Sequence, residues 1–135
     1  MGFLIDPSIL IDFSRGELDV ARHIEGRGED DFYLSAVSAA ELLLGARLAQ
    51  GEPARRSRSA FVEAVLETFP LLLVDRTVAR MHAQLSAQLL KENEGMPLHD
   101  TWLAASCLAH GLTLATSDPR EFEKVRGLKL EMWKD

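Results

Sequence analysis

Five short apolar runs alternate with segments of helical periodicity from one end of the chain to the other, and this alternation limits the architecture more than any other feature. Phe3 to Ile5, Phe32 to Ser35, Leu71 to Val74, Leu112 to Ala115 and Leu128 to Glu131 read as strands. The intervening segments read as helices. Ser8 is positioned to cap a short helix through Ile9 to Phe13, with Pro7 just before it, and a second helix covers Leu18 to Ile24. Ser38 and Glu41 have the S-x-x-E spacing of a capping box ahead of the run Leu42 to Ala46. Ala54 to Phe69 carries Phe61, Val62, Val65, Leu66 and Phe69 at helical spacing, and Thr77 to Lys91 shows Val78, Met81, Leu85 and Leu89 on one face. Leu98 to His110 is closed by Gly111, and a short helix spans Arg120 to Val125. Parallel strands require long crossovers, which such helices supply with a right-handed turn. The pattern therefore predicts an α/β fold: a three-layer α/β/α sandwich around a parallel sheet of four to five strands. With no internal repeat and no linker, residues 1–135 form a single domain.

In an open α/β sheet, ligands bind beyond the carboxyl ends of the strands. Asp6 ends the first strand, Glu41 lies in the first helical turn after the second, and Asp118 follows the fourth. Asp100 starts the helix that feeds the fourth strand, so it reaches the same edge only if its helix begins there. Each acid alone has an ordinary structural reading: a strand-end turn or cap for Asp6, a capping-box partner for Glu41, a helix-dipole complement for Asp100, a turn before Pro119 for Asp118. Together they imply a cluster. Carboxylates a few ångströms apart raise one another's pKa unless a cation compensates, and Mg²⁺ or Mn²⁺ suits an all-oxygen donor set. No Cys/His spacing fits zinc. The four histidines are dispersed, and only His99 adjoins a candidate acid.

Charge decides less than it first suggests. A net charge of −6 argues against a nucleic-acid partner, yet with four of the 21 acids set aside, 15 basic residues face 17 acids. The lone Cys107, among Leu103, Ala104, Ala105 and Leu108, reads as a buried thiol suited to a reducing cytoplasm. The opening MGFLIDPS has no basic segment and meets Asp6 early, so it is not expected to be a signal peptide. No apolar run approaches the roughly 18 residues of a membrane span. A cytoplasmic protein is expected.

These residues resemble the PIN-domain family, and its VapC-type toxin ribonucleases in particular. FLIDPS looks like the family's opening, SAVSAAELLLGA like its second motif around Glu41, and HDTWLAASCLAHGLTLATSDPREFEKVRGLKLEMW like its C-terminal half, with Asp100 and Asp118 as third and fourth acids. The similarity covers the whole chain. One departure is Pro7, which stands where the family usually has a hydroxyl residue; it lacks both a side-chain donor and a backbone N–H.

The resemblance implies an Mg²⁺- or Mn²⁺-dependent endoribonuclease leaving 5′-phosphate and 3′-hydroxyl ends. Asp6 and Asp100 would be direct ligands, Glu41 a ligand or a base that positions water, and Asp118 an outer ligand. Ser8 would orient Asp118 or Asp100, and Thr116 would be a supporting hydroxyl. Arg15, Arg47, Arg55, Arg56 and Arg58 are available to grip RNA phosphates, although a solvated helix face explains the RRSR run as well. The resemblance further implies a VapB-like antitoxin whose C-terminal segment lies on the apolar face of Phe61, Val65 and Leu66, a homodimer, and contact with DNA only through the antitoxin. The non-enzyme alternative is an inactive PIN scaffold acting through protein contacts. A haloacid-dehalogenase-like phosphotransferase would need D-x-D, where Ser8 stands, and a receiver domain would need paired acids at the first strand.

Overall fold

A computed structural model describes all 135 residues. Its strands are β1 (Gly2–Ile5), β2 (Asp31–Ser35), β3 (Leu71–Leu72), β4 (Thr113–Thr116) and β5 (Lys129–Met132). Its helices are α1 (Pro7–Ser14), α2 (Val20–Ile24), α3 (Ala36–Leu48), α4 (Glu52–Thr68), α5 (Arg76–Lys91) and α6 (Leu98–His110). All strand pairings are parallel, in the order β3-β2-β1-β4-β5. The expected α/β/α sandwich on a parallel sheet of four to five strands is observed, with five strands.

β1 and β4 lie at the centre, which explains their nearly unbroken apolar character: a central parallel strand is covered on both faces. Alternate residues divide between two cores. Phe3, Ile5 and Ala115 face Ile9, Leu10, Leu34, Val65, Phe69 and Trp133 on one side. Leu4 and Leu114 face Leu85, Leu89, Leu103, Cys107 and Phe122 on the other. Each such side chain contributes about 1.5–3 kcal/mol on burial, so the sheet's central register is firmly determined. Burial also pushes the Cys107 thiol far above its usual range, making it an inert part of the second core.

α6 runs from Leu98 to His110 as the sequence predicts, with Gly111 left-handed at φ 64°, a conformation that favours glycine. Several boundaries differ for local reasons. Asp6, not Ser8, caps α1, leaving Pro7 at the first helical position, where its missing N–H is harmless. Ser35, not Ser38, caps α3 through Val37 N, so the Ser38–Glu41 pair is no capping box but lies one turn inside the helix. The strand expected over Leu71 to Val74 stops at Leu72, because its partner β2 ends at Ser35 to begin α3. The second helix starts at Val20, after its cap Asp19. The helix expected over Arg120 to Val125 is only a 3₁₀ turn, Phe122–Lys124. That tighter winding aligns residues three apart, and it sends both Phe122 and Val125 into the second core.

Candidate active site at the carboxyl ends of β1 and β4

The strand order 3-2-1-4-5 reverses direction between β1 and β4, so the crevice for a ligand opens where these two strands end. Asp6 and Thr116 stand at that edge. The register pairs Ile5 with Ala115, and Asp6 N donates to Ala115 O at 2.9 Å, extending the ladder by one residue. The Asp6 carboxylate is only 7% exposed and is held by named donors. Thr116 Oγ1 donates to its Oδ2 at 2.6 Å, and Ser8 Oγ donates to the same oxygen at 2.9 Å. Ser8 N approaches Oδ1 at 3.4 Å.

Ser8 therefore orients Asp6, rather than Asp118 or Asp100 as the resemblance implies; its Oγ also accepts from Ser117 N at 3.3 Å. The reason is local. Capping places Ser8 two residues past Asp6, over the carboxylate that caps its own helix. Pro7 is buried at the first helical position, and Ser8 donates through both its backbone and its side chain. The donors Pro7 lacks are replaced within one residue.

Asp100, in the first turn of α6, has its carboxyl pushed up to about 6. Burial is the largest cause, followed by the negative charge of Asp6; Glu121 and Glu41 raise it further, and His99 opposes. Asp6, Glu41 and Asp100 thus share one electrostatic neighbourhood, drawn from β1, α3 and α6. Glu121, from the turn after β4, is an addition the sequence reading missed, since nothing marks it among the charges of REFEK.

The other two expected members are held by partners. Glu41 is 54% exposed, and its Oε2 lies 2.5 Å from His99 Nδ1. Asp118 is 51% exposed and turned to Arg120, whose Nε and Nη2 each donate to it at 2.8 Å. That fork holds the Asp118 carboxyl below the usual carboxylate range. Asp118 N donates to Thr116 Oγ1 at 3.1 Å, so the backbone of Asp118 belongs to the site while its carboxylate faces Arg120. As oriented, no three His, Cys, Asp or Glu side chains form a metal-holding group. In chemical kind the donors fit a hard divalent cation: they are carboxylate oxygens, and the proton affinity of Asp100 is raised by neighbours of like charge.

The arginines divide. Arg47, Arg55 and Arg56 line a hollow between α3 and α4 with Leu43 and Ser59. Arg58 instead lines the hollow that reaches Pro7 and Glu41, and it shares the adjoining one with Arg15. Neither Arg58 nor Arg15 takes part in an ion pair. Adjoining these two hollows through Phe61, a groove of about 330 Å³ is lined by Leu10, Phe13, Val20, Ile24, Phe61 and Val65, among others. Leu66, expected on that face, does not line the groove.

The PIN domain family model matches residues 3–128. Ribonuclease VapC1 of Rickettsia felis is 28% identical over 130 residues, 96% of this chain and 95% of its own. The tRNA(fMet)-specific endonuclease VapC of Shigella flexneri is 28% identical over 131 residues, 97% of both chains. Among solved structures, VapBC2 from Rickettsia felis bound to a DNA fragment from its promoter has a TM-score of 0.89 at 17% identity, covering 99% of this chain and 100% of that one, a likeness of fold.

Proposed function

The chain belongs to the PIN domain family, and on that premise we propose that it is a metal-dependent endoribonuclease, the toxin of a VapBC-like toxin–antitoxin pair. The observation that supports the reading is the charge of Asp6 and Glu41 felt at half-buried Asp100, whose carboxyl burial and these neighbours push up to about 6. Relatives named ribonuclease and tRNA(fMet)-specific endonuclease, similar over nearly the whole chain, support it. Pro7 would favour the inactive-scaffold alternative, yet Ser8 donates to both oxygens of the Asp6 carboxylate.

In this reading Asp6, Asp100 and Glu41 would hold Mg²⁺ or Mn²⁺, and Asp118 would be an outer ligand once freed from Arg120. The cation, when bound, would supply polarisation of a bound water, lowering its pKa, and a counter-charge for the phosphodiester. The chain's own residues do the rest. Ser8 and Thr116 fix Asp6 by three hydrogen bonds, so its oxygens need no reordering to serve as ligands. Buried Asp6 and half-buried Asp100 are the enclosed members of the set, and the more exposed Glu41 and Asp118 are held by His99 and Arg120.

Cleavage of total RNA tests the proposal. Incubation with Mg²⁺ or Mn²⁺ should release fragments with 5′-phosphate ends, EDTA should stop it, and Asp6→Asn should weaken Mn²⁺ binding. Cleavage that persists under chelation sinks the metal-dependent reading.

Arg58 is the basic residue best placed to hold the backbone beside the cleft, because its hollow includes Glu41. Arg58→Ala should raise the apparent KM for RNA roughly tenfold, the size of one charge-assisted contact. Arg56→Ala, from the separate hollow, should change it less than about twofold. Equal losses from the two variants would assign RNA binding to the α4 face as a whole.

The apolar groove by Phe61 and Val65 supports an amphipathic antitoxin segment as its occupant. A neighbour of the same fold is a VapBC complex bound to promoter DNA, so DNA contact through the antitoxin fits this chain too. A homodimer and a cytoplasmic setting complete the proposal; no helix is long and apolar enough to cross a membrane.

A further inference from the structure

Ser38, His99 and Glu41 form a hydrogen-bonded chain across two helices. Ser38 Oγ lies 3.0 Å from His99 Nε2, and His99 Nδ1 lies 2.5 Å from Glu41 Oε2. The order hydroxyl, imidazole, carboxylate is that of a serine-hydrolase triad. Ser38, however, is 0% exposed inside α3, so no substrate reaches its oxygen. What remains is a brace. A carboxylate can only accept, so Nδ1 carries a proton for Glu41, and Nε2 faces the Ser38 hydroxyl.

We propose that His99, held from behind by Ser38, is a positioning residue that fixes the Glu41 carboxylate at the mouth of the acid cleft. The inference rests on the nuclease reading for its kinetic consequence, though not for its geometry. Glu41 is half exposed and would otherwise sample several rotamers. Ser38 and Glu41 lie three residues apart on one face of α3, and His99 precedes Asp100 on α6. The brace thereby ties the helix carrying one acid to the helix carrying another. Residues that orient a metal ligand typically matter 10- to 100-fold.

Two isosteric replacements separate positioning from packing. The amide nitrogen of asparagine mimics Nδ1, and that of glutamine mimics Nε2. His99→Asn should therefore keep kcat within about threefold of the parent, while His99→Gln and His99→Ala should lose about 10- to 100-fold with KM for RNA unchanged. In a Glu41→Ala background, His99→Ala should cost nothing more. Imidazole ¹⁵N spectra, assigned by the resonance missing in His99→Gln, should show a protonated, slowly exchanging Nδ1 at His99 that is altered by Glu41→Ala. Equal losses for Asn and Gln, independent losses in the double variant, or a bare Nδ1 would overturn the proposal. If the parent protein cleaves no RNA under any metal, the nuclease reading falls, and the nitrogen spectrum alone decides the brace.

Discussion

Asp100→Asn should cut cleavage about 10²–10³-fold and, measured in EDTA, make the protein more stable. The two effects share one cause. In the folded chain Asp100 is pushed up to about 6, from an ordinary value near 3.8, first by burial and then by the charge of Asp6. A folded-state pKa above the unfolded one means that the native state binds the proton more tightly. The penalty is absent at pH below about 4, grows as pH rises towards 6, and is complete above it. Two pKa units correspond to at most about 3 kcal/mol; with Asp100 partly solvated, about 1 kcal/mol is the reasonable expectation. For a chain of this size that is a rise of about 3 °C in Tm at pH 7.5. The gain should all but vanish at pH 3, where the carboxyl is mostly protonated in both states. Activity moves the other way, by about 10²–10³-fold, because a charged group aimed at the reacting centre has gone. Thermal unfolding in EDTA at both pH values, beside a cleavage assay, checks the pair. A destabilised Asp100→Asn at pH 7.5 would mean that the acid is structural, and the case for a charge-strained cleft would collapse.

That strain was legible in the sequence at the level of position and less so at the level of direction. Asp6 could be read because a parallel strand covered on both faces must be apolar until it ends, and the first polar residue marks the edge. Asp100 followed from α6, whose start after Pro97 and end at Gly111 are signalled by backbone chemistry. The side chain of Asp118 could not be read. Its turn sits where expected, but Arg120, two residues on, offers a fork that no spacing rule anticipates. Ser38 shows the same gap: an S-x-x-E spacing suits a cap, yet Ser35 lies at the strand's end and caps first, which frees Ser38 to meet a histidine 61 residues away. Contacts between distant residues depend on register and rotamer together, and a local pattern carries neither.

Trp133, the last residue of the C-terminal stretch that resembles the family, also bears on the position of Asp6. Trp133 follows β5 and is 0% exposed, and its backbone N donates to Thr116 O at 2.9 Å. Its indole stacks on His23 with centroids 5.1 Å apart and meets Phe32 edge-on at 6.0 Å, while Nε1 donates to Glu131 at 3.0 Å. The edge strand β5 carries lysine and glutamate and half-exposed apolar residues, so Trp133 is its main anchor to the first core. Trp133→Ala should cost about 3–5 kcal/mol, as large cavities in a core do. That is a large part of the roughly 5–15 kcal/mol available to a domain. Trp133→Phe, which keeps a stacked ring and loses the hydrogen bond, should cost about 1–2 kcal/mol. Urea unfolding followed by the remaining Trp102 reads both variants. A further consequence separates an anchor from mere filling. Loosened β5 frees Thr116, the closest donor to Asp6, so RNA cleavage by the folded fraction of Trp133→Ala should fall well below that of Trp133→Phe. Equal activity per folded molecule in the two variants would show that Thr116 holds Asp6 without help from β5.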